Sequence, residues 1–183
     1  MKKLLIAIPT FNEYSYLKNN LHTLIPQVSH FKDSVDLYLI DNNSTDNTRS
    51  DFSHLFSKYD NCFYIRNEEN IGLYKNQLKC LNIDQYHYQM VLGSDDILLP
   101  NALESILQYI DSGNFSVLYL NYFSFLDDYL KPKQFFAPEK DIIFERPYDL
   151  LNHPSVGHFS GFIFKSNYVK KYLQILLKKY NDN

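Results

Sequence analysis

Two adjacent carboxylates, Asp95 and Asp96, follow a largely apolar run at residues 88–92 and the dipeptide Gly93-Ser94. A short apolar run that ends at turn-forming residues predicts a buried strand. Ligands of open α/β sheets bind beyond the carboxyl ends of the strands, so a ligand is expected beside these acids. Hard divalent cations that carry substrate phosphates prefer carboxylate oxygens. We therefore predict that Asp95 and Asp96 bind Mg²⁺ or Mn²⁺ and that the substrate carries a nucleoside diphosphate.

Polar segments follow three other apolar runs in the same way. They are residues 9–13, 41–46 and 67–72. The carboxyl ends of parallel strands lie along one edge of a sheet, so these segments and the acid pair are expected to form one cleft. A turn with a helix cap is the alternative interpretation of Asp41 and Ser44, and capping of the next helix is the alternative for Asp96.

The elements that must position these groups alternate along the chain. Residues at helical spacing, such as Leu17, Leu21 and Leu24, separate the first two apolar runs. This alternation predicts an α/β fold with a mostly parallel sheet and helices on both faces. The predicted strands cover residues 4–8, 35–40, 62–65, 88–92, 116–125 and 162–164, and predicted helices begin near residues 14, 45, 72, 100 and 166.

Several predicted boundaries depend on proline, glycine and serine. Pro9 is expected to end the first strand, and Pro100 is expected at the first position of a helix. Gly72 is expected to open one helix, and Ser166 is expected to cap the last one. Residues 126–160 contain four prolines and are expected to be irregular.

Composition and charge exclude several classes of protein. The 183 residues carry a net charge of −3, which argues against a basic nucleic-acid-binding surface. Cys62 and Cys80 share no motif, so we expect buried reduced thiols rather than a disulfide or a metal site. No apolar stretch approaches the ~18 residues of a membrane-spanning helix, and residues 4–8 are too short for a signal peptide. We therefore expect a cytoplasmic protein without a nucleic-acid partner.

The last predicted helix carries Lys170, Lys171, Lys178 and Lys179 beside an apolar face. A solvated edge on a core-packing helix explains these lysines. Peripheral contact with the inner, cytoplasmic face of a membrane is the alternative.

Together, the four strand-end segments resemble the family 2 type of GT-A glycosyltransferases. The resemblance covers roughly residues 3–112, in the order and spacing of residues 8–13, residues 39–48, residues 70–72 with Asn76, and residues 92–100. It implies the GT-A (nucleotide-diphospho-sugar transferase) fold and a nucleotide-sugar donor, with a UDP-sugar favoured. It also implies a divalent cation and transfer to a hydroxyl of a surface polysaccharide or lipid-linked glycan, usually with inversion at the anomeric carbon.

The resemblance also implies roles for individual residues. Asp41 would accept a hydrogen bond from the base, Ser94 would bond to a ribose hydroxyl, and Asp95 would hold the metal. Glu13 either contacts the nucleotide or complements a helix N-terminus, and Asn70 either contacts the donor or forms a turn. The donor-binding residues predicted in this way are Pro9, Thr10, Glu13, Asp41, Asn43, Asn70, Asn76, Ser94 and Asp95.

We expect residues 1–183 to form one GT-A domain, with a nucleotide-sugar-binding half at 1–112 and a partial acceptor half at 113–183. An inverting transfer needs a carboxylate that takes the proton of the acceptor hydroxyl. The sequence does not rank the candidates for this catalytic base, which are Asp127, Asp128, Glu139, Asp141 and Glu145. His153 and His158 are additional candidate metal ligands.

The main alternative is a truncated, catalytically inactive GT-A domain that binds a nucleotide sugar or a protein partner. It is suggested by the single helix that follows residues 158–165 and by Gly93-Ser94, where the family often has a further acid. A nucleotidyltransferase would need a Gly-rich, Arg-containing loop after the first strand, and a redox Rossmann protein would need Gly-x-Gly-x-x-Gly there. Residues 9–13 match neither pattern.

Overall fold

The computed structural model describes residues 1–125, 130–131, 133–136, 140–154, 156–171 and 173. Within these residues, eight strands form two sheets. The strands are β1 (Lys2–Thr10), β2 (Val35–Asp41), β3 (Cys62–Arg66), β4 (Tyr86–Val91), β5 (Val117–Tyr119), β6 (Tyr122–Ser124), β7 (Gln134–Phe136) and β8 (Phe162–Lys165). The larger sheet has the order β3-β2-β1-β4-β8-β5, and β6 pairs with β7 in the smaller one.

Helices connect the parallel strands, as the alternating pattern predicts. They are α1 (Tyr14–His30), α2 (Thr48–Phe56), α3 (Leu73–Leu81), α4 (Ala102–Ser112) and α5 (Pro147–Leu151). A 3₁₀ turn covers Phe159–Gly161, and a further helix begins at Ser166. Neighbouring strands among β1 to β4 pair in parallel, whereas β8 is antiparallel to both β4 and β5. The predicted α/β class with a mostly parallel sheet is confirmed.

The core has one layer on each face of β1, because residues 4–8 are fully buried and alternate between the two faces. Leu4, Ile6 and Ile8 pack in a large cluster that includes residues of α1, α2 and α4. Leu5 and Ala7 face a smaller cluster with α3. Helices therefore cover both faces of the sheet.

The prediction that Pro9 ends the first strand is wrong. β1 includes Pro9 and Thr10, which are in register with Ile40 and Asp41 of β2. The carbonyl of Ala7 accepts a bond from the amide of Leu92, so the same side of β1 at Pro9 lies beyond the end of β4. Pro9 therefore removes no bond from a sheet ladder.

Pro100 is also misplaced by the sequence analysis, because α4 begins two residues later. The amide of Ala102 donates to the carbonyl of Leu99 at 3.1 Å, and Asn101 has φ 65° and ψ 0°. Proline followed by a residue with positive φ is typical of a type II turn. Pro100 thus shapes the turn that precedes the helix.

The second half of the chain departs further from the prediction. The expected strand at residues 116–125 is divided into β5 and β6, which belong to different sheets. The segment 126–160, expected to be irregular, contains β7 and α5. The pairing of β5 with β8 brings together residues distant in sequence, so no local pattern reports it.

Two further expectations concern the last helix and the cysteines. Ser166 is the first helical residue, and its buried hydroxyl has no partner within the described residues, so it does not cap the helix as predicted. On the same helix, Lys170 forms an ion pair with Asp84 at 2.8 Å. Lys178 and Lys179 lie outside the described residues.

The predicted free, buried state of the two cysteines is confirmed. None of the helices in the described part of the chain has the length and hydropathy needed to cross a membrane.

Candidate functional site

The carboxyl ends of β1 to β4 lie along one edge of the sheet, which we call the rim. The amide of Asn42 donates to the carbonyl of Thr10, and the amide of Asn67 donates to that of Asp41, both at 2.8 Å. β1 lies between β2 and β4, so the strand order reverses beside β1. A crevice of this kind is where open α/β sheets bind ligands. The predicted convergence of the strand-end segments is confirmed.

The acid turn, residues 93–96, follows β4 at the rim. The amide of Asp96 donates to the carbonyl of Gly93 at 3.2 Å and closes the turn. Asp95 is exposed, and within the described residues its side chain forms no hydrogen bond or ion pair, although its charge acts on His158. Asp95 is therefore free to bind a ligand.

Asp96 has protein partners on both carboxylate oxygens. Ser160 donates its hydroxyl to Oδ2 at 2.5 Å, and His158 Nε2 lies 2.9 Å from Oδ1. Burial opposes ionisation of Asp96, but the bonds from His158 and Ser160 outweigh it and hold its pKa below the ordinary value. The structure thus separates two acids that the sequence treats as a pair.

The hydrogen bond to Asp96 raises the pKa of His158, against the opposing effect of burial. Tyr119 Oη accepts the backbone amides of Gly157 and His158 at 3.0 Å, and the ring of Tyr122 lies 5.2 Å from the imidazole. His158 therefore contacts the acid turn directly. His153 lies five residues before His158, with its ring 5.4 Å from that of Phe144.

Gly93 has no side chain at the point where the two carboxylates converge. A Cβ atom there would lie 2.5 Å from Asp96 Oδ2 and 2.9 Å from Asp95 Oδ1. Two carboxylate oxygens that face one small space are donors suited to Mg²⁺ or Mn²⁺. Within the described residues, no group of three or more His, Cys, Asp or Glu side chains could hold a metal. Ligand oxygens or water would therefore complete the coordination of a cation here.

Asp41 lies at the end of β2 and is fully buried. Its Oδ1 accepts the amide of Ser44 at 2.8 Å, and its Oδ2 accepts the hydroxyl of Tyr64 and Nη1 of Arg66, both at 2.5 Å. Burial opposes its charge, but the bonds from Ser44, Tyr64 and Arg66 lower its pKa overall. Arg66 Nη2 also donates to Asn43 Oδ1 at 2.5 Å. Asn43 and Arg66 are half-buried, so they are more accessible to a ligand than Asp41 is.

Glu13 and Ser94 connect the loops after β1 and β4. Ser94 is 3% exposed, and its hydroxyl donates to Glu13 Oε2 across the crevice. Thr10 is equally buried, and its hydroxyl has no partner within the described residues. Three of the predicted donor-binding side chains therefore lie at the crevice between β1 and β4.

Asn70 and Asn76 belong to an amide network behind the rim. Asn76 is 2% exposed and donates to the carbonyl of Ile40 at 3.0 Å, while its Oδ1 accepts Asn67 at 2.9 Å. Asn70 Oδ1 accepts Asn42 and the amide of Gly72, which makes a turn. Both residues hold loops together, and Asn76 faces inward.

Within the described residues, no hydrogen bond links the candidates for a catalytic base to the acid turn. Asp141 accepts a bond from Tyr109 on α4, and Glu145 is exposed before α5. Asp127, Asp128 and Glu139 lie outside the described residues.

Sequence reasoning missed four residues that shape the rim: Asn20, Tyr64, Arg66 and Ser160. A possible signal existed only for Arg66, because a cation directly after a strand lies at the same edge as the acids. The other contacts depend on distant parts of the chain.

A parallel sheet with acids and amides at the carboxyl edge of β1 to β4 places this chain among the α/β proteins that bind ligands at that edge. The model of the family described as Glycosyl transferase family 2 matches residues 5–173. The chain belongs to this family.

Known proteins agree with this assignment. The chain is 28% identical over 175 residues to an uncharacterized glycosyltransferase of Methanocaldococcus jannaschii. This match covers 92% of the chain and 60% of that protein. It is 32% identical over 115 residues to the GalNAc(5)-diNAcBac-PP-undecaprenol beta-1,3-glucosyltransferase of Campylobacter jejuni, covering 62% of the chain and 36% of the relative. The crystal structure of S. aureus TarS 1-349 in complex with UDP-GlcNAc superposes with a TM-score of 0.70 and 20% identity over 93% of the chain and 47% of that structure. The chain thus spans between a third and three fifths of the length of these proteins.

Proposed function

We propose that this chain transfers a sugar from a nucleoside-diphosphate sugar, with a UDP-sugar favoured, to an acceptor hydroxyl of a surface polysaccharide or lipid-linked glycan. Its membership of glycosyl transferase family 2 supports glycosyl transfer. The glucosyltransferase of Campylobacter jejuni is named for a lipid-linked glycan, which supports the acceptor class. The observation that carries the proposal is the exposure of Asp95 at the rim, beside the crevice between β1 and β4, where it forms no hydrogen bond or ion pair within the described residues.

Asp95 would hold the divalent cation, Mg²⁺ or Mn²⁺, with Asp96 as the second candidate ligand. When bound, the cation would neutralise the charge that develops on the leaving diphosphate. Asp95 and Asp96 fit this role, because their carboxylates face the same small space beside Gly93. Inversion at the anomeric carbon is part of the proposal by resemblance to the family.

The nucleoside would lie over Asp41, Asn43 and Arg66. Asp41 is ionised and polarised by its partners, and one lone pair on Oδ1 remains beside the bond from Ser44. Contact with a base N–H would require Arg66 or Asn43 to move, since Asp41 has no exposed surface. Pro9, Thr10, Glu13 and Ser94 would contact the donor at the crevice.

We assign the nucleotide-sugar-binding half to residues 1–112 and a partial acceptor half to residues 113–183. The half at 113–183 contributes His158 and Ser160, whose bonds to Asp96 link it to the acid turn. The structural positions of Asn70 and Asn76 favour loop support over direct donor contact.

Calorimetric titration with UDP, with and without Mn²⁺, tests the proposal. The wild-type chain should bind UDP more tightly with Mn²⁺, and Asp95→Ala should reduce its affinity to the metal-free value. The thermal midpoint should not change, because Asp95 is exposed. Asp60→Ala is the matched control, since Asp60 is an exposed carboxylate just before β3, at the opposite edge of the sheet.

Two outcomes would contradict parts of this proposal. Equal UDP affinity with and without Mn²⁺ in the wild-type chain would exclude a metal-dependent donor site. Metal-dependent binding without hydrolysis or transfer of any sugar from UDP-sugars would favour a domain that only binds nucleotide sugar.

A further inference from the structure

The side chain of Asn20 on α1 contacts the backbone of the acid turn. Its Nδ2 donates to the carbonyl of Gly93 at 3.0 Å and to the carbonyl of Asp96 at 2.5 Å. Those carbonyls belong to the first and last residues of the turn, so one amide group holds both ends. Ser94 and Asp95 lie between the two contacts.

The orientation of the Asn20 amide follows from its surroundings. Only the NH₂ group can donate to two carbonyls, so Nδ2 must face the turn. Asn20 has no exposed surface, and its Oδ1 has no partner within the described residues. An unbonded buried carbonyl is unfavourable, which indicates that the contacts on the Nδ2 side determine this position.

The opposite side of the turn is held by Ser160. Its Oγ accepts the amide of Gly93 at 2.8 Å and donates to Asp96 Oδ2. Seven residues after Asn20 on α1, Gln27 donates to the carbonyl of Leu98 at 3.2 Å and accepts the amide of Leu103 at 3.1 Å. The backbone of the turn is therefore bonded to α1 on one side and to the 3₁₀ turn on the other.

We propose that Asn20 is a positioning residue that sets the direction of the Asp95 carboxylate, an inference that rests on the proposed function of Asp95. Fixing the carbonyls of Gly93 and Asp96 restricts the backbone of Asp95, which lies between them. Within the described residues the side chain of Asp95 forms no hydrogen bond or ion pair, and its charge acts only at longer range on His158, so the backbone is the part of Asp95 that the turn holds. Groups that orient metal ligands commonly change metal affinity by about 10- to 100-fold when they are removed.

Asn61 provides a matched control. It is 3% exposed, and its Nδ2 donates to the carbonyls of Val28 and Val35 at 2.9 and 3.0 Å. Asn61 precedes β3 at the edge of the sheet opposite the rim. Asn20→Ala and Asn61→Ala therefore remove the same kind of buried group, but only the first contacts the acid turn.

The experiment is UDP titration in Mn²⁺ and without metal, together with urea unfolding, for the wild-type chain and both variants. Both variants should unfold at lower urea concentration. Only Asn20→Ala should weaken UDP binding in Mn²⁺, by about tenfold or more, with little change in the metal-free affinity. Asn20→Asp, which keeps the volume but presents an acceptor to both carbonyls, should have the same effect.

Equal metal-dependent affinity in the wild-type chain and a folded Asn20 variant would overturn the inference. If neither variant folds, amide exchange of the metal-free wild-type chain decides. Slow exchange at Asp96, whose amide closes the turn, supports a preformed turn, and exchange as fast as in exposed loops overturns it. If the wild-type chain shows no metal-dependent UDP binding, the proposed function fails, and the exchange of Asp96 still reports whether the turn is held.

Discussion

At the scale of single residues, Asp41 and Asp36 form a natural comparison at the two ends of β2. Asp41 is bonded to Tyr64 and Arg66, and Asp36 is bonded to Tyr86 at 2.6 Å and to Lys2 at 2.5 Å. Both carboxylates are buried, and each pairs with one phenol and one cation. Only Asp41 lies at the rim, so its cluster combines a structural role with a place in the candidate site.

Asp41→Asn should lower the free energy of unfolding at neutral pH by about 2 kcal/mol, because bonds to a charged group are replaced by weaker ones. The pKa of Asp41 is lowered in the folded chain, so its stabilisation is complete above its ordinary value of 3.8. It is lost as the pH falls from that value through the folded pKa. Urea unfolding from about pH 5 to about pH 3 should show the difference between wild type and variant decreasing.

Measuring the affinity for UDP without metal separates the structural role of Asp41 from its proposed role in binding the base. Asp41→Asn should weaken this binding, whereas Asp36→Asn should destabilise the chain and leave the affinity unchanged. Equal affinity in the wild-type chain and Asp41→Asn would show that the base does not contact this carboxylate.

At the scale of elements, the loops that begin α1 and α2 are bonded to each other. Asp46 accepts the amide of Tyr14, the first residue of α1, and the amide of Thr48, the first residue of α2, both at 3.0 Å. The amide of Asn12 donates to Ser44 Oγ at 3.0 Å. One carboxylate therefore caps two helices, and the negative charge also suits both N-termini.

Asp46→Ala should remove both caps at once and lower the free energy of unfolding by about 2 kcal/mol, since one cap contributes about 1 kcal/mol. Urea unfolding measures the change. Ser50→Ala is the control, because Ser50 is an exposed residue of the first turn of α2, and within the described residues its hydroxyl bonds only to Asn47 and Asp51. A loss no larger than that of the control would show that Asp46 does not cap the helices in solution.

At the scale of the whole molecule, the sheet separates two apolar layers and keeps the cysteines apart. Cys62 belongs to the cluster with α1, α2 and α4, and Cys80 belongs to the cluster with α3. Burial raises the pKa of both thiols to about 12. Neither thiolate forms readily at neutral pH, and the sheet lies between the two residues.

Both thiols should therefore be unreactive toward Ellman's reagent in the native chain and react together when the chain unfolds. Titration of the reagent at increasing guanidinium concentration, compared with circular dichroism, measures this. Cys80→Ser should remove one of the two reacting groups. Rapid reaction of either thiol in the native chain would show local opening of the layer that covers it.

The sequence predicted the fold class and the rim because both depend on local patterns. Apolar runs and helical spacing marked β1 to β4 and the helices between them, and polar residues marked where each strand ends. A parallel sheet places all those ends at one edge, so the cleft followed from the order of elements alone. The boundaries at Pro9 and Pro100 were wrong because a proline is tolerated wherever its missing N–H has no partner to lose.

Only the tertiary structure decided what the rim residues do. Asp95 and Asp96 are identical side chains in adjacent positions, and they differ because, within the described residues, Ser160 and His158 form hydrogen bonds with Asp96 and not with Asp95. The contacts of Asn20 with Gly93 and of Ser160 with Gly93 join residues 73 and 67 positions apart. Periodicity and composition report neighbours along the chain, whereas these bonds form only after the sheet has assembled. Residue types thus determined the chemistry of the edge, and packing determined that Asp95 is exposed while Asp96 is held by hydrogen bonds.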